Sequence, residues 1–315
     1  MRFVMSSGGV RLRLAVFPAT VPAPRGTVLI AQGRAEYIEK YLETIADLRR
    51  LGFAVVAFDW RGQGGSDRLM ANRVPGHVAG FSDYERDLKA VLREIRGLDL
   101  PAPLIGLAHS MGAAVLLLAA RRLKQRFDRL VLAAPFIGFG PAYGAVARTD
   151  RFPGNAAAFL LDLAAGIGFS RRVLPGGINP HDGTAPFEGN VVTGDAGRFA
   201  RMIAHEKARP DLMTGRPTFG WVRGAIVALE RLARPGVAER IPLPVLIVTA
   251  GADRVVSNRA AEDFAQRLPL GATLMIPGAR HELMMERDGP RGDFLAALDG
   301  FCPPAASEPA RLGRA

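Results

Sequence analysis

Ile105-Gly106-Leu107-Ala108-His109-Ser110-Met111-Gly112-Ala113-Ala114 carries a short apolar strand into an apolar, alanine-rich helix through a single hydroxyl. The strand begins in Pro103-Leu104-Ile105 and the helical run covers 113–120. Small residues around one serine at such a junction form a sharp turn that holds the hydroxyl clear of a sheet. The pattern is close to the nucleophile elbow Gly-x-Ser-x-Gly, with Ala108 in place of the first glycine. That extra methyl costs roughly 1–3 kcal/mol if the turn has no room for it. Taken alone, the same residues also fit a serine that caps a helix N-terminus.

Working outward, residues 10–17 alternate apolar and basic side chains and read as a half-exposed early strand. Residues 27–31 and 53–58 are continuous apolar runs, as strands buried on both faces of a parallel sheet require. Between them, Ile38, Tyr41, Leu42, Ile45 and Leu48 recur at helical spacing over 37–51, and the helix stops at Gly52. The stretch Asp59-Trp60-Arg61-Gly62-Gln63-Gly64-Gly65-Ser66-Asp67 is glycine-rich but lacks a phosphate-binding signature, so it reads as a structural turn. An amphipathic helix over 81–97 precedes the elbow, and a strand over 130–134 follows its helix. The order strand, helix, strand, helix, strand, helix, strand predicts an α/β fold with a doubly wound, mostly parallel sheet. The loops after Ile30, Phe58, Ala108 and Ala134 then share the C-terminal edge, where open α/β sheets bind ligands, and Ser110 lies there.

The alternation breaks over 136–240, where Gly/Pro-rich loops separate helical stretches at 156–169, 195–206 and 219–232. It resumes with Pro244-Val245-Leu246-Ile247-Val248-Thr249-Ala250, a helix over 259–268, a strand over 272–276 and a helix over 288–301. We therefore expect a doubly wound α/β core from 1–135 and 241–302, a helical cap or lid inserted at 136–240, and a disordered tail at 303–315.

With 315 residues, 49% of them hydrophobic, 36 glycines and 23 prolines, the chain has material for a sizeable core and many loops. A lone cysteine, Cys302, excludes an intramolecular disulfide and fits a reducing compartment. The N-terminus lacks the apolar segment of a signal peptide, and no run reaches the ~18 apolar residues of a spanning helix. The expected location is cytoplasmic, with peripheral contact at the inner membrane face. Four of the 41 basic residues are lysines and the other 37 are arginines, with a net charge of +11. They are scattered, with no nucleic-acid-binding motif, so the excess reads as a solvated surface or as attraction to anionic lipid surfaces. No cofactor or metal ligand set is expected.

A serine nucleophile needs a base, and five histidines are present: His77, His109, His181, His205 and His281. His109 adjoins Ser110, but neighbouring side chains diverge. His281, in Gly278-Ala279-Arg280-His281-Glu282, leaves the last strand at the same edge as Ser110. Asp253 follows the preceding strand at that edge and can fix the imidazole; Asp59 is its rival. The order Ser110, Asp253, His281 is that of α/β-hydrolases. Two backbone N–H groups must hold the oxyanion: Met111, at the helix N-terminus, and Arg34, in the loop after Ile30.

Several segments together are similar to the lysophospholipase/monoacylglycerol lipase group of α/β-hydrolases, which is often filed with the serine aminopeptidases. They are His109-Ser110-Met111-Gly112, Gly33-x-x-Glu36-Tyr37-x-x-Lys40-Tyr41, Asp59-x-Arg61-Gly62-x-Gly64-x-Ser66, Gly76-His77 with Phe81-x-Asp83-Tyr84, and Gly251-x-Asp253 with Gly278-x-x-His281-Glu282. The likeness spans 17–301. It implies Ser110, Asp253 and His281 as catalytic residues, Arg34 and Met111 as oxyanion donors, and a small-molecule lipid ester as substrate. Gln32 stands where the group usually has a histidine, and Ala108 replaces the first elbow glycine; neither removes a catalytic atom, and Gln32 points away from a monoacylglycerol substrate and toward the bacterial lysophospholipase-like branch.

Two rival readings follow from the same residues. A proline-type serine aminopeptidase would use acidic cap residues, of which Glu188, Asp195, Glu206 and Asp211 are candidates, to bind a substrate amine. A hydrolase fold kept only for ligand binding would not need a complete triad. Epoxide hydrolase or dehalogenase chemistry is disfavoured, because those enzymes place an aspartate where Ser110 stands.

Overall fold

The structure, a computed structural model, describes residues 1–122, 126–142, 168–175 and 184–302. Eight strands form one sheet: β1 (Arg2–Met5), β2 (Arg11–Phe17), β3 (Gly26–Ala31), β4 (Phe53–Phe58), β5 (Leu104–His109), β6 (Arg129–Ala133), β7 (Val245–Ala250) and β8 (Gly271–Ile276). Their spatial order is β1-β2-β4-β3-β5-β6-β7-β8. The first two pairings are antiparallel and the rest parallel. This is the α/β-hydrolase architecture expected from the alternation of elements.

The apolar strands feed two cores, one on each face, because successive side chains of a strand point opposite ways. In β4, Phe53, Val55 and Ala57 face one core, while Val56 and Phe58 face the other. Ile45 and Leu48 of α1 (Leu42–Arg50) and Phe294 and Leu298 of the C-terminal helix (Asp288–Phe301) cover the first face. The second is covered by α2 (Phe81–Arg96) and α3 (Met111–Ala120), joined by the helices Phe219–Ala233 and Asn258–Ala265. In chain order the later helices are α4 (Ala196–Ala208), α5 (Phe219–Ala233), α6 (Asn258–Ala265) and α7 (Asp288–Phe301).

Three elements depart from expectation. β1 was not anticipated, since only Val4 of its four residues is buried and it carries no alternation long enough to read. The helix expected over 37–51 divides into a 3-10 turn, Ile38–Tyr41, and α1; the turn carries Lys40, which pairs in the interior with Glu36 at 2.9 Å. The helix expected over 259–268 ends earlier, at Ala265. Between β6 and β7, the described residues add no strand to the sheet. The apolar stretch expected as a helix over 156–169 lies outside the described residues up to 167; Phe169 opens a 3-10 turn, Phe169–Arg171. The tail from 303 and His181 also lie outside them. No described helix is long and apolar enough to cross a membrane.

The sheet order decides where chemistry can occur. From β3 the chain crosses to β4 on one side and then returns to β5 on the other, so the switch point lies between β3 and β5. Loops leaving adjacent strands there diverge and open a crevice. The register pairs Ala31 with Ala108, so the segments beginning at Gln32 and His109 leave the edge side by side.

Candidate active site

Ser110 sits at the start of α3 with φ 48° and ψ −113°, a conformation that non-glycine residues adopt at a cost of ~1–3 kcal/mol. The turn is over-determined. Ser110 donates its N–H to the Ala133 carbonyl at 3.1 Å, and its own carbonyl accepts from Phe136 at 3.1 Å and from Ala113 at 3.1 Å. The strain throws the hydroxyl out of the line of strand and helix. It also brings α3 hard against the end of β3: a methyl on Gly112 would run into the Ala31 and Gln32 carbonyls. Ala108 needs no such clearance. Its methyl is fully buried in the core that also contains Ala31 and Met111, and the residue keeps its parallel pairing with Ala31 and Leu132, so the strand runs unbroken without the first glycine.

A Gly112→Ala protein is accordingly expected to lose about 3 kcal/mol or more of stability through backbone overlap. Urea unfolding would show this, and a midpoint equal to wild type would mean that the α3–β3 approach is looser than described.

His281 places Nε2 3.0 Å from Ser110 Oγ and Nδ1 2.8 Å from Asp253 Oδ2. The other Asp253 oxygen accepts from the Val255 and Val256 amides at 2.7 and 3.0 Å. A carboxylate only accepts, so Nδ1 carries the proton and Nε2 is left to accept from the serine hydroxyl. Burial raises the Asp253 carboxyl, but His281 and the two amides outweigh it and hold the group below its ordinary value. The three side chains predicted from sequence therefore meet in one hydrogen-bonded chain at the strand edge. Asp59, the rival acid, is instead spent in the fold: it holds Arg13 at 2.6 Å and accepts from the Ile38 and Gly65 amides.

The other described histidines have different partners. His77 Nδ1 meets the Thr218 hydroxyl at 2.8 Å, and His205 stacks on Tyr37 and meets its hydroxyl at 3.1 Å. His109 has Nδ1 3.0 Å from Glu36 and Nε2 3.2 Å from the His281 carbonyl. Both partners accept, so both ring nitrogens must donate and His109 is an imidazolium. Burial opposes that charge, yet Glu36 outweighs it and raises the His109 pKa.

Glu36 is the residue that sequence reasoning quoted but gave no task. Its carboxylate accepts from the Gly33 amide, from Tyr41 Oη at 2.5 Å and from Lys40 Nζ at 2.9 Å, besides His109. Lys40 also holds Glu282 at 2.6 Å. The buried cluster thus ties the loop after β3 to the loop bearing His281. Gln63 braces the same turn, accepting from Ala35 N at 3.0 Å and donating to the Gly33 carbonyl at 3.0 Å. The only advance signal was Glu36 and Lys40 four residues apart; their distant partners leave no local pattern. Met111, in the first turn of α3, belongs to the N–H groups that have no acceptor within their own helix. Arg34 lies in the braced turn after β3, with its side chain over Trp221 and donating to the Gly215 carbonyl.

Burial raises the Glu36 carboxyl, but Lys40 and His109 outweigh it and hold the group well below its ordinary 4.5. A depressed native pKa contributes stability above the unfolded value and loses it as pH falls through the native one. Glu36→Gln leaves the His109 imidazolium without its counter-charge, and breaking such a buried pair costs about 3–5 kcal/mol. Wild type should therefore exceed the variant by about that much at neutral pH, with the gap closing below about pH 4.5. Equal acid-unfolding curves would show that the cluster contributes nothing.

Of the four acidic candidates for binding a substrate amine, Asp195 caps α4 and pairs with Arg198 at 2.9 Å, and Asp211 pairs with Arg209 at 2.8 Å. Glu206 is buried and Glu188 exposed.

Sheet order, strained serine and hydrogen-bonded Ser-His-Asp chain define an α/β-hydrolase. The family model described as serine aminopeptidase, S33, matches residues 22–288, and the chain belongs to that family. Lysophospholipase L2 of Escherichia coli (strain K12) is 33% identical over 295 residues, covering 87% of this chain and 79% of that protein. A monoacylglycerol lipase of Mycolicibacterium smegmatis is 28% identical, covering 89% of each chain. Among solved structures, a soluble variant of the Saccharomyces cerevisiae monoglyceride lipase superposes with a TM-score of 0.71 at 19% identity, covering 96% of this chain and 94% of its own.

Proposed function

We propose that this protein is a carboxylic ester hydrolase acting on lipids, most specifically a lysophospholipase, through an acyl-enzyme on Ser110. The observation that carries the reading is the continuous chain Ser110 Oγ, His281 Nε2 and Nδ1, Asp253 Oδ2, with spacings of 3.0 and 2.8 Å. His281 takes the hydroxyl proton as Ser110 attacks the ester carbonyl. The Met111 and Arg34 amides hold the oxyanion, a pair of donors each worth several kcal/mol to a transition state. His281 returns the proton to the departing alcohol, then activates water, which releases the fatty acid and frees the serine.

The likeness to lysophospholipase L2 over 87% of the chain supports a lysophospholipid as substrate, and the monoacylglycerol lipase relatives support a lipid ester more broadly. In this reading residues 1–135 and 241–302 form the catalytic core and 136–240 a cap that selects the acyl chain. The enzyme would work in the cytoplasm, against the inner membrane face.

For the aminopeptidase alternative, arginines already pair with Asp195 and Asp211, which leaves Glu188 and Glu206 as its candidate amine-binding acids. Turnover of a lysophospholipid, a monoacylglycerol and a proline arylamide should be compared directly, with Ser110→Ala as blank. Fatty acid released fastest from the lysophospholipid is expected; preferential cleavage of the arylamide would replace this reading with the peptidase.

A further inference from the structure

We propose that the flank formed by α2 and the end of α3 is a docking surface for the phosphate groups of an anionic lipid bilayer. The proposal rests on the lipid substrate reading and goes further, by assigning a separate surface that holds the enzyme at its substrate's source. The exposed residues of α2 are Ser82, Arg86, Lys89, Arg93 and Arg96, so every one except Ser82 is basic. Arg86, Lys89, Arg93 and Arg96 stand three or four positions apart, which puts them on one stripe of the helix.

An ordinary solvated helix face interleaves acids and bases, since like charges at this spacing destabilise the helix. Here the acidic residues of α2 turn away. Asp83 and Asp87 are buried, Asp83 paired with Arg86 and Asp87 held by Arg61 at 2.6 Å, while the half-buried Glu94 is paired with Arg2 at 3.5 Å. Glu85 borders the stripe but is shared by Arg122 at 3.2 Å and Arg231 at 2.8 Å. Among the described residues Lys89, Arg93 and Arg96 make no ion pair. A uniformly basic stripe of this kind concentrates external anions beside it.

The stripe is concave. Together with Arg122, Arg126 and Arg231 it lines a groove of about 860 Å³ whose floor includes Leu92 and Ala119. Seven cations therefore line a space that holds one carboxylate. Guanidinium groups bind phosphate through paired N–H donors, which suits phosphodiester headgroups. A bilayer is favoured over a free anion because the charges run along the helix rather than closing round one point. Phe81, at the start of α2, packs on Trp221 of α5, so the stripe continues the flank that leads to the helices following β6.

The test is co-sedimentation of the full chain with vesicles of phosphatidylcholine alone or with phosphatidylglycerol, at about 0.1 M salt. Three proteins are compared: wild type, Lys89→Glu/Arg93→Glu/Arg96→Glu, and Arg50→Glu/Arg240→Glu/Arg259→Glu, which changes net charge equally at exposed sites elsewhere. Hydrolysis of a soluble short acyl ester is measured in parallel and should match in all three, showing that each is folded and that vesicle binding is judged independently of the activity. Wild type and the off-groove variant should bind the phosphatidylglycerol vesicles, while the groove variant loses partition by roughly tenfold or more. Equal loss in both variants would reduce the effect to overall charge and overturn the proposal. So would no preference of wild type for phosphatidylglycerol, or complete displacement by millimolar inorganic phosphate, which would make the groove a free-anion site.

Discussion

Ser110→Ala is expected to lower turnover of a short acyl ester by about 10⁴–10⁶-fold, the scale of loss when a triad nucleophile is removed. The argument is local. Ser110 Oγ is the atom His281 Nε2 faces, at 3.0 Å, and among the described residues no other hydroxyl bonds that nitrogen. A methyl fits the same turn, because the strained backbone is fixed by hydrogen bonds of the Ser110 main chain to Ala133, Phe136 and Ala113. Stability should thus change by less than about 1 kcal/mol. Residual rate would come from the oxyanion donors alone. Retention of more than a tenth of the activity in a freshly purified variant would require another nucleophile.

Asp253→Asn should cost about 10⁴-fold in kcat with little change in KM. The asparagine fits the space, but the Val255 and Val256 amides both donate to one oxygen. The amide carbonyl must stay there, so the NH₂ group turns to His281 Nδ1. Nδ1 then has to accept, the ring proton moves to Nε2, and the imidazole presents an N–H to a serine that needs an acceptor. Because His281 and the two amides hold the native carboxyl below its ordinary value, it is ionised at neutral pH and contributes no step of its own to the wild-type profile there. A variant within tenfold of wild type would mean that His281 finds its tautomer without this partner.

Much of this site was legible because its parts obey local rules. The apolar runs of β3 and β4, buried on both faces, announce a parallel sheet, and Ser110, Asp253 and His281 each follow a strand that such a sheet ends at one edge. The elbow was legible despite Ala108, since Gly112 is kept where a methyl would meet backbone and Ala108 holds its place in the strand register. What escaped was whatever depends on residues far apart in the chain. Glu36, Lys40, His109 and Glu282 form their cluster across more than two hundred positions, and none of the four carries a local pattern that names its partner. β1 escaped for the opposite reason: it is an exposed edge strand with one buried side chain, so no periodicity marks it. The basic stripe of α2 was visible as charge but not as a surface, because scattered arginines acquire meaning only once the helix orientation separates Arg86, Lys89, Arg93 and Arg96 from the buried Asp83 and Asp87.

The most direct measurement is covalent trapping with a long-chain fluorophosphonate, followed by peptide mass analysis and assay of lysophospholipid hydrolysis on the same sample. One equivalent of label on the peptide carrying Ser110, with hydrolysis lost in proportion, is the result expected of an acyl-enzyme formed there. Label on any other residue, or full hydrolysis by protein whose Ser110 is completely modified, would contradict it.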